Sequence, residues 1–217
     1  VHNAGVPSRP PLFELESVTV RLGGTTVLED LSLRLPDGGV TVLAGPSGAG
    51  KSTVLRLCNR LVVPSSGVVR FRGDDVARLD PVSLRRRVGM VFQRPTPFPG
   101  TVRDNLAEAA RLDDAAAAEL LALVALPADL LERDAERLSG GEAQRMCLAR
   151  TLATGCEVVL ADEITSSLDR DAAAEVERSV RGLVEGGRSV VWVTHDDDQA
   201  RRVADHRVEL GSGRGHH

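Results

Sequence analysis

The chain has 217 residues, 42 % apolar and 27 % charged, with a net charge of −4. That length suits one α/β domain with a proper core and a small subdomain, and the composition is ordinary for a globular protein. The mildly acidic balance excludes the basic footprint of a nucleic-acid binder. Residues 13–22, FELESVTVRL, alternate apolar and polar and predict a strand, and 25–35 continue the pattern after a turn at Gly23 and Gly24. These two read as a half-exposed antiparallel pair. VTVLA at 40–44 is wholly apolar, as a strand buried on both faces should be. A glycine-rich loop follows, then KSTVLRLCNRL with helical spacing at Val54, Leu55, Leu57 and Leu61. After PSSG comes the strand VVRFRG, and Asp80 with Pro81 marks a helix start. VGMVFQ predicts another buried strand, ending in Gln93.

From 94 to about 153 the character changes. RPTPFPG is a proline-rich loop, TVRD at 101–104 has the spacing of a capping box, and helical segments follow. This stretch reads as a mainly helical subdomain inserted into an α/β core. The core resumes with EVVLADE, a helix near 171–184, the strand SVVWVTH, a short helix and a last strand near 206–210. Strands alternating with helices imply a mainly parallel sheet wrapped by helices.

Several features bound the partners. No stretch approaches the ~18 to 20 unbroken apolar residues of a membrane span, so no direct membrane insertion is expected. The nearest, 115–126, carries Glu119 and stops at Pro127. Cys58, Cys147 and Cys156 are odd in number and lack CxxC spacing, which excludes a disulfide framework and suits a reducing compartment. The run Arg85–Arg87 reads as a solvated helix face rather than a binding patch. Residues 1–11 and 211–217 read as loose ends, without the pattern of a secretory signal.

GPSGAGKST, 45–53, contains the only lysine among 27 basic residues. It fits G-x-x-x-x-G-K-[ST], the phosphate-binding loop, between an apolar strand and a helix. Gly45, Gly48 and Gly50 let the backbone curl so that amides of the loop, with Pro46, Ser47, Ala49 and Thr53, surround a polyphosphate. Lys51 must reach the terminal phosphates, where a compact ammonium fits and a wider planar guanidinium does not. Ser52 supplies a hydroxyl to Mg²⁺. VVLADE, 158–163, delivers Asp162 to the sheet mouth to hold the Mg²⁺ shell and Glu163 to polarise an attacking water. RLSGGEAQR, 137–145, places Ser139, Gly140 and Gly141 at a second anion-binding helix start.

Leu138-Ser139-Gly140-Gly141-Glu142 resembles the LSGGQ or LSGGE signature of the ATP-binding-cassette (ABC) ATPases, and the other motifs follow in that family's order across about 12–210. The resemblance implies an α/β phosphate-loop fold with an antiparallel β subdomain near the N-terminus. It implies a single domain, with core segments 12–93 and 154–210 and the helical subdomain at 94–153. It makes Gln93 the glutamine that couples the γ-phosphate and metal site to that subdomain. Asp169, closing SSLD, is the residue that crosses a dimer interface, and His195 contacts the γ-phosphate. ATP and Mg²⁺ are the implied cofactors. The implied partners are a second copy, packed head to tail around ATP, and an integral membrane permease, with the chain cytoplasmic and peripheral on the inner membrane face. Two departures stand out: Leu22 occupies the place of the adenine-stacking aromatic, and Ile164 that of the usual proline after Asp-Glu. For cargo, VGMVFQRPTPFP resembles ATPases of phosphate importers. DEITSSLD with VVWVTHD resembles small cassettes of iron export, which the length and Ile164 favour. The alternatives are a soluble ABC ATPase serving as an assembly scaffold and a phosphate-loop small-molecule kinase. The kinase would need neither Leu138–Glu142 nor His195.

Overall fold

The structure is a computed structural model that describes residues 10–211, so the expected loose ends at 1–9 and 212–217 lie outside the described residues. β1 (Phe13–Leu22) and β2 (Thr25–Leu35) pair antiparallel, from Phe13 opposite Leu35 to Leu22 opposite Thr25. Phe13, Leu15, Val18 and Val20 of β1 are buried. The alternation slips between Leu15 and Val18, where Ser17 takes φ 48° and the register shifts, as a bulge does. β3 (Val40–Ala44) is buried throughout, as its unbroken apolar run predicts. α1 (Lys51–Cys58) is shorter than its apolar spacing suggests. Asn59 caps it and Arg60 turns left-handed at φ 56°, so Leu61 falls beyond the helix and is exposed.

β4 (Ser66–Phe71) and the two-residue β5 (Asp74–Asp75) complete an antiparallel sheet of order β2-β1-β4-β5. Two residues are too few for alternation to register, which is why β5 is invisible in the sequence. α2 (Pro81–Arg87) starts where predicted, with the Asp80 carboxylate accepting from the Ser83 amide at 2.8 Å. β6 (Val88–Val91) stops short of Gln93, leaving Phe92 exposed. The helical stretch comprises α3 (Val102–Ala107), α4 (Asp114–Leu123) and α5 (Gly140–Ala153), with two short 3₁₀ turns between α4 and α5. α3 has the predicted capping box of Thr101 with Asp104. The most apolar stretch makes α4, whose 10 residues span only about 15 Å. No described helix is long and apolar enough to cross a membrane.

β7 (Val158–Asp162), α6 (Arg170–Glu185), β8 (Ser189–Val193), α7 (Asp197–Val203) and β9 (His206–Glu209) close the chain. The second sheet has order β6-β7-β8-β3-β9 and is parallel at every pairing. Its residues divide by parity. Val42, Val159, Ala161, Val190 and Trp192 pack with the helical side, whereas Leu43, Val158, Leu160, Val191 and Val193 pack with α1 and the antiparallel sheet. Both faces are therefore covered, which accounts for strands without polar alternation.

A charged seam joins the two sheets. Arg72 bonds Asp37 at 3.0 Å and also Glu157, which in turn pairs with Arg87. The guanidinium carbons of Arg72 and Arg87 lie 5.3 and 4.7 Å from the centre of the Phe71 ring. The Arg85–Arg87 face is exposed as expected, yet Arg85 also caps carbonyls of Asn59 and Arg60. Because all five strands of the parallel sheet point one way, the segments after β3, β6, β7 and β8 leave from a single edge. β3 also lies where the strand order jumps, the usual place for a ligand crevice.

Candidate functional site

The loop after β3 is built by its glycines. Gly50 caps α1 at φ 86°, and a Cβ there would sit 2.4 Å from the Leu28 side chain of β2. The antiparallel sheet thus presses directly on the loop, and only glycine fits both the space and the left-handed backbone. Gly45 is equally confined, its missing Cβ 2.6 Å from the Leu210 carbonyl. Lys51 is 7 % exposed, and its ammonium donates to the Gly45 and Pro46 carbonyls at 2.8 and 2.9 Å. A buried cation held only by loop carbonyls has a partner set that phosphate oxygens can replace. Pro46, Ser47 and Gly48 are exposed along the loop crest, while Thr53 is buried beneath it.

The ends of the neighbouring strands converge beside the loop. The Ser52 hydroxyl donates to the Asp162 carboxylate at 2.6 Å. Arg56, one turn along α1, approaches the other Asp162 oxygen at 3.8 Å. Glu163 takes φ 50°, a strained value for a non-glycine residue, and its amide donates to the Val193 carbonyl at 3.0 Å. Its carboxylate oxygen accepts from the Gln93 amide at 3.2 Å and lies 3.4 Å from His195 Nδ1. The Gln93 amide also donates to Ser166 Oγ at 3.1 Å. Gln93 therefore joins Glu163 rather than Ser52 and Asp162. Three chain segments, the ends of β6, β7 and β8, meet at one carboxylate.

Ser139, Gly140 and Gly141 lie elsewhere, at the start of α5. Ser139 Oγ accepts from the Glu142 amide at 3.2 Å, and the Glu142 carboxylate accepts from the Ser139 amide at 2.8 Å. The Ser139 backbone N–H holds the Glu142 carboxyl below its usual range. That cap is at full strength above the ordinary glutamate range and fades as pH falls through the lowered value. Gly141 is packed against α6, where an added Cβ would come within 2.8 Å of Ala172 Cβ. Asp169 caps α6 through the Ala172 amide at 2.8 Å. No hydrogen bond among the described residues joins 139–141 to the 45–53 loop or to Asp162, Glu163 or His195. Leu22, at the end of β1, is 45 % exposed.

A family model described as ABC transporter matches residues 28–166. The chain belongs to the ABC transporter family. It is an ATP-binding cassette and, by that membership, an ATPase. A Bacillus subtilis (strain 168) protein named YjkB, described as an ABC transporter ATP-binding protein, is 41 % identical over 192 residues, covering 87 % of this cassette and 77 % of the relative. "Phosphate import ATP-binding protein PstB 2" of Bacillus licheniformis is 39 % identical over 212 residues, covering 89 % and 77 %. Among solved structures, cbiO1 of Clostridium perfringens, part of the ABC transporter complex cbiONQ, superposes with a TM-score of 0.83 at 25 % identity, covering 94 % of this chain and 86 % of that one.

Three residues of the cassette's site escaped the sequence reading. Leu28 wedges Gly50, Arg56 faces Asp162 and Ser166 bonds Gln93. Leu28 reads as one more strand residue and Arg56 as one more exposed arginine, so neither carried a signal. Ser166 lay inside SSLD and could have been tested as a partner for any polar side chain there. Ile164, at the place of the usual proline after Asp-Glu, is 1 % exposed and packs into the core on the helical side of the sheet.

Proposed function

We propose that this cassette energises a separate membrane permease by closing head to tail on a second copy around ATP and reopening after hydrolysis. The observation that carries the proposal is the separation of two half-sites. Lys51, Ser52, Asp162, Gln93, Glu163 and His195 lie along one edge of the parallel sheet, while Ser139–Gly141 opens α5 and, among the described residues, shares no hydrogen bond with them. Ser139 Oγ accepts from an amide and makes no donor bond among the described residues, so its proton is free for a phosphate. One chain grips a nucleotide from one side, and a second chain's α5 start completes the other.

Within that reading the roles follow from chemistry. Backbone N–H groups of the 45–53 loop, Pro46 excepted, surround the phosphates, and Lys51 exchanges its two carbonyl partners for phosphate oxygens. Ser52 and Asp162 are adjacent oxygen donors, which fits Mg²⁺. Among the described residues no group of three His, Cys, Asp or Glu could hold a metal by itself, so phosphates and water must supply the remaining ligands. Bound there, the ion would neutralise developing charge on the transferred phosphoryl group. Glu163 takes the proton of the attacking water, Gln93 and His195 hold that carboxylate, and His195 reaches the γ-phosphate. Asp169 sits at the dimer seam. Gln93, whose segment runs from β6 into the proline-rich loop, reports phosphate occupancy to the permease, which would hold the chain at the cytoplasmic membrane face. Likeness to a protein named for phosphate import supports phosphate as the cargo, and the permease decides it.

The dimer is tested by specific activity. ATP turnover per chain should rise steeply with chain concentration in the wild type, and Gly141→Ala, which forces α5 off Ala172, should flatten that rise. Turnover strictly proportional to chain concentration, unaffected by Gly141→Ala, removes the head-to-tail reading. Leu22 offers the adenine an apolar contact but no π face. Leu22→Tyr should tighten ATP binding by about 1 kcal/mol or more, roughly fivefold in Kd by calorimetric titration. An unchanged Kd places the base elsewhere.

A further inference from the structure

Behind half-buried Glu163 and exposed His195 lies a polar contact that the roles above do not use. Gln199, in the first turn of α7, is 3 % exposed, and Thr165 is 8 % exposed. The Thr165 hydroxyl donates to the Gln199 side-chain oxygen at 3.1 Å and accepts from its nitrogen at 2.9 Å. The same amide nitrogen donates to Glu177 of α6 at 2.8 Å, and Glu177 is paired with Arg202 at 3.0 Å. The backbone of Gln199 is tied in turn to the Asp196 carboxylate, next to His195, at 3.0 Å. One buried side chain thus links the segment carrying Glu163, the segment carrying His195, and α6, which Asp169 caps. These groups line a cavity of about 650 Å³ that His195 also borders.

We propose that Gln199 is a positioning residue for ATP hydrolysis. It fixes the 163–166 segment against the 195–199 segment, so that the Glu163 carboxylate and the His195 ring keep their 3.4 Å relation. This rests on the roles given above to Glu163 and His195. Only an amide serves here, because the position must accept from and donate to Thr165 while also donating to a carboxylate. An apolar replacement would leave buried groups unpaired, and a carboxylate would face Glu177 with like charge.

The test is a double-mutant cycle on the whole 217-residue chain. It reads kcat and KM for Mg-ATP, with thermal midpoints in parallel and Glu163→Gln as reference. Gln199→Glu should lower kcat about 10- to 100-fold, the scale of small misplacements at a reacting centre, with KM changed less than about twofold. Adding Glu177→Gln restores an amide–carboxylate pair with donor and acceptor exchanged, and should recover most of the lost kcat. Should Gln199→Glu not fold, Gln199→Met is assayed the same way and should show the same loss of kcat with KM kept. A folded Gln199 variant with wild-type kcat overturns the proposal, as does a double mutant no faster than Gln199→Glu. A thermal shift with unchanged kcat assigns the amide to packing alone. If Glu163→Gln itself turns over normally, the underlying reading fails instead, and the two failures are told apart.

Discussion

Lys51→Ala is expected to lower ATP turnover by about 10²- to 10³-fold, the scale of losing one charged donor aimed at developing negative charge. Lys51→Arg should fare little better. The ammonium is buried and bonded to the Gly45 and Pro46 carbonyls, inside a loop that Leu28 and Leu210 hold in place through Gly50 and Gly45. A guanidinium is wider, planar and bonds as a fork, so it would have to push the loop outward to reach the same point. The chain otherwise uses arginine for every basic side chain, so a shortage of suitable arginine contacts is no explanation for the lysine. Steady-state turnover and nucleotide titration of both variants check this. If Lys51→Arg retains wild-type turnover, the steric account of the loop is wrong even though the charge argument survives.

Glu163→Gln is the second large effect. An amide has nearly the shape of the carboxylate but cannot take a proton from water. Turnover should fall by about 10² to 10⁴, the range assigned to general-base catalysis, while ATP still binds. With hydrolysis blocked, the closed form should accumulate, so Mg-ATP should shift the variant to twice the monomer mass by light scattering. Gln93 and His195 sharpen this expectation, because both contact the one carboxylate oxygen recorded at 3.2 and 3.4 Å. A variant that hydrolyses ATP at the normal rate leaves those contacts structural and moves the base elsewhere. A variant that stops turning over yet stays monomeric with bound ATP keeps the base and removes the dimer.

Most of the strands were legible because their signal is local. The alternation in β1 and the unbroken apolar runs in β3, β7 and β8 each follow from which faces are buried, and neighbouring residues carry that information. Helix starts at Asp80, Thr101 and Ser139 were legible for the same reason, since a cap and its partner lie three residues apart. The errors fall where distant structure overrides local pattern. Leu61 continues the apolar spacing of α1, yet the chain turns at Arg60 to send β4 back to the antiparallel sheet. β6 ends at Val91 and not at Gln93, because β7 supplies ladder partners only from Val88 to Val91.

The sequence alone determined the chemistry on offer: a phosphate loop with one lysine, two acids at the end of a buried strand, a glycine-opened helix and a histidine after the last central strand. Only the phosphate loop is specific by spacing alone; the acids, the helix start and the histidine take their expected roles from the order in which all four occur. Only the tertiary structure decided who meets whom. Gln93, Glu163 and His195 share a carboxylate because a parallel sheet of order β6-β7-β8-β3-β9 brings the ends of separate strands to one edge, whereas Ser139–Gly141 opens α5 and joins none of them by a hydrogen bond among the described residues. Gln199 reads in the sequence as a polar residue in an acidic helix start, and burial against Thr165 and Glu177 alone makes it a link between segments. The reason is physical. Periodicity and capping depend on residues a few positions apart, but the pairing of strands and the burial of a polar group depend on contacts between segments tens of residues apart, which no local pattern encodes.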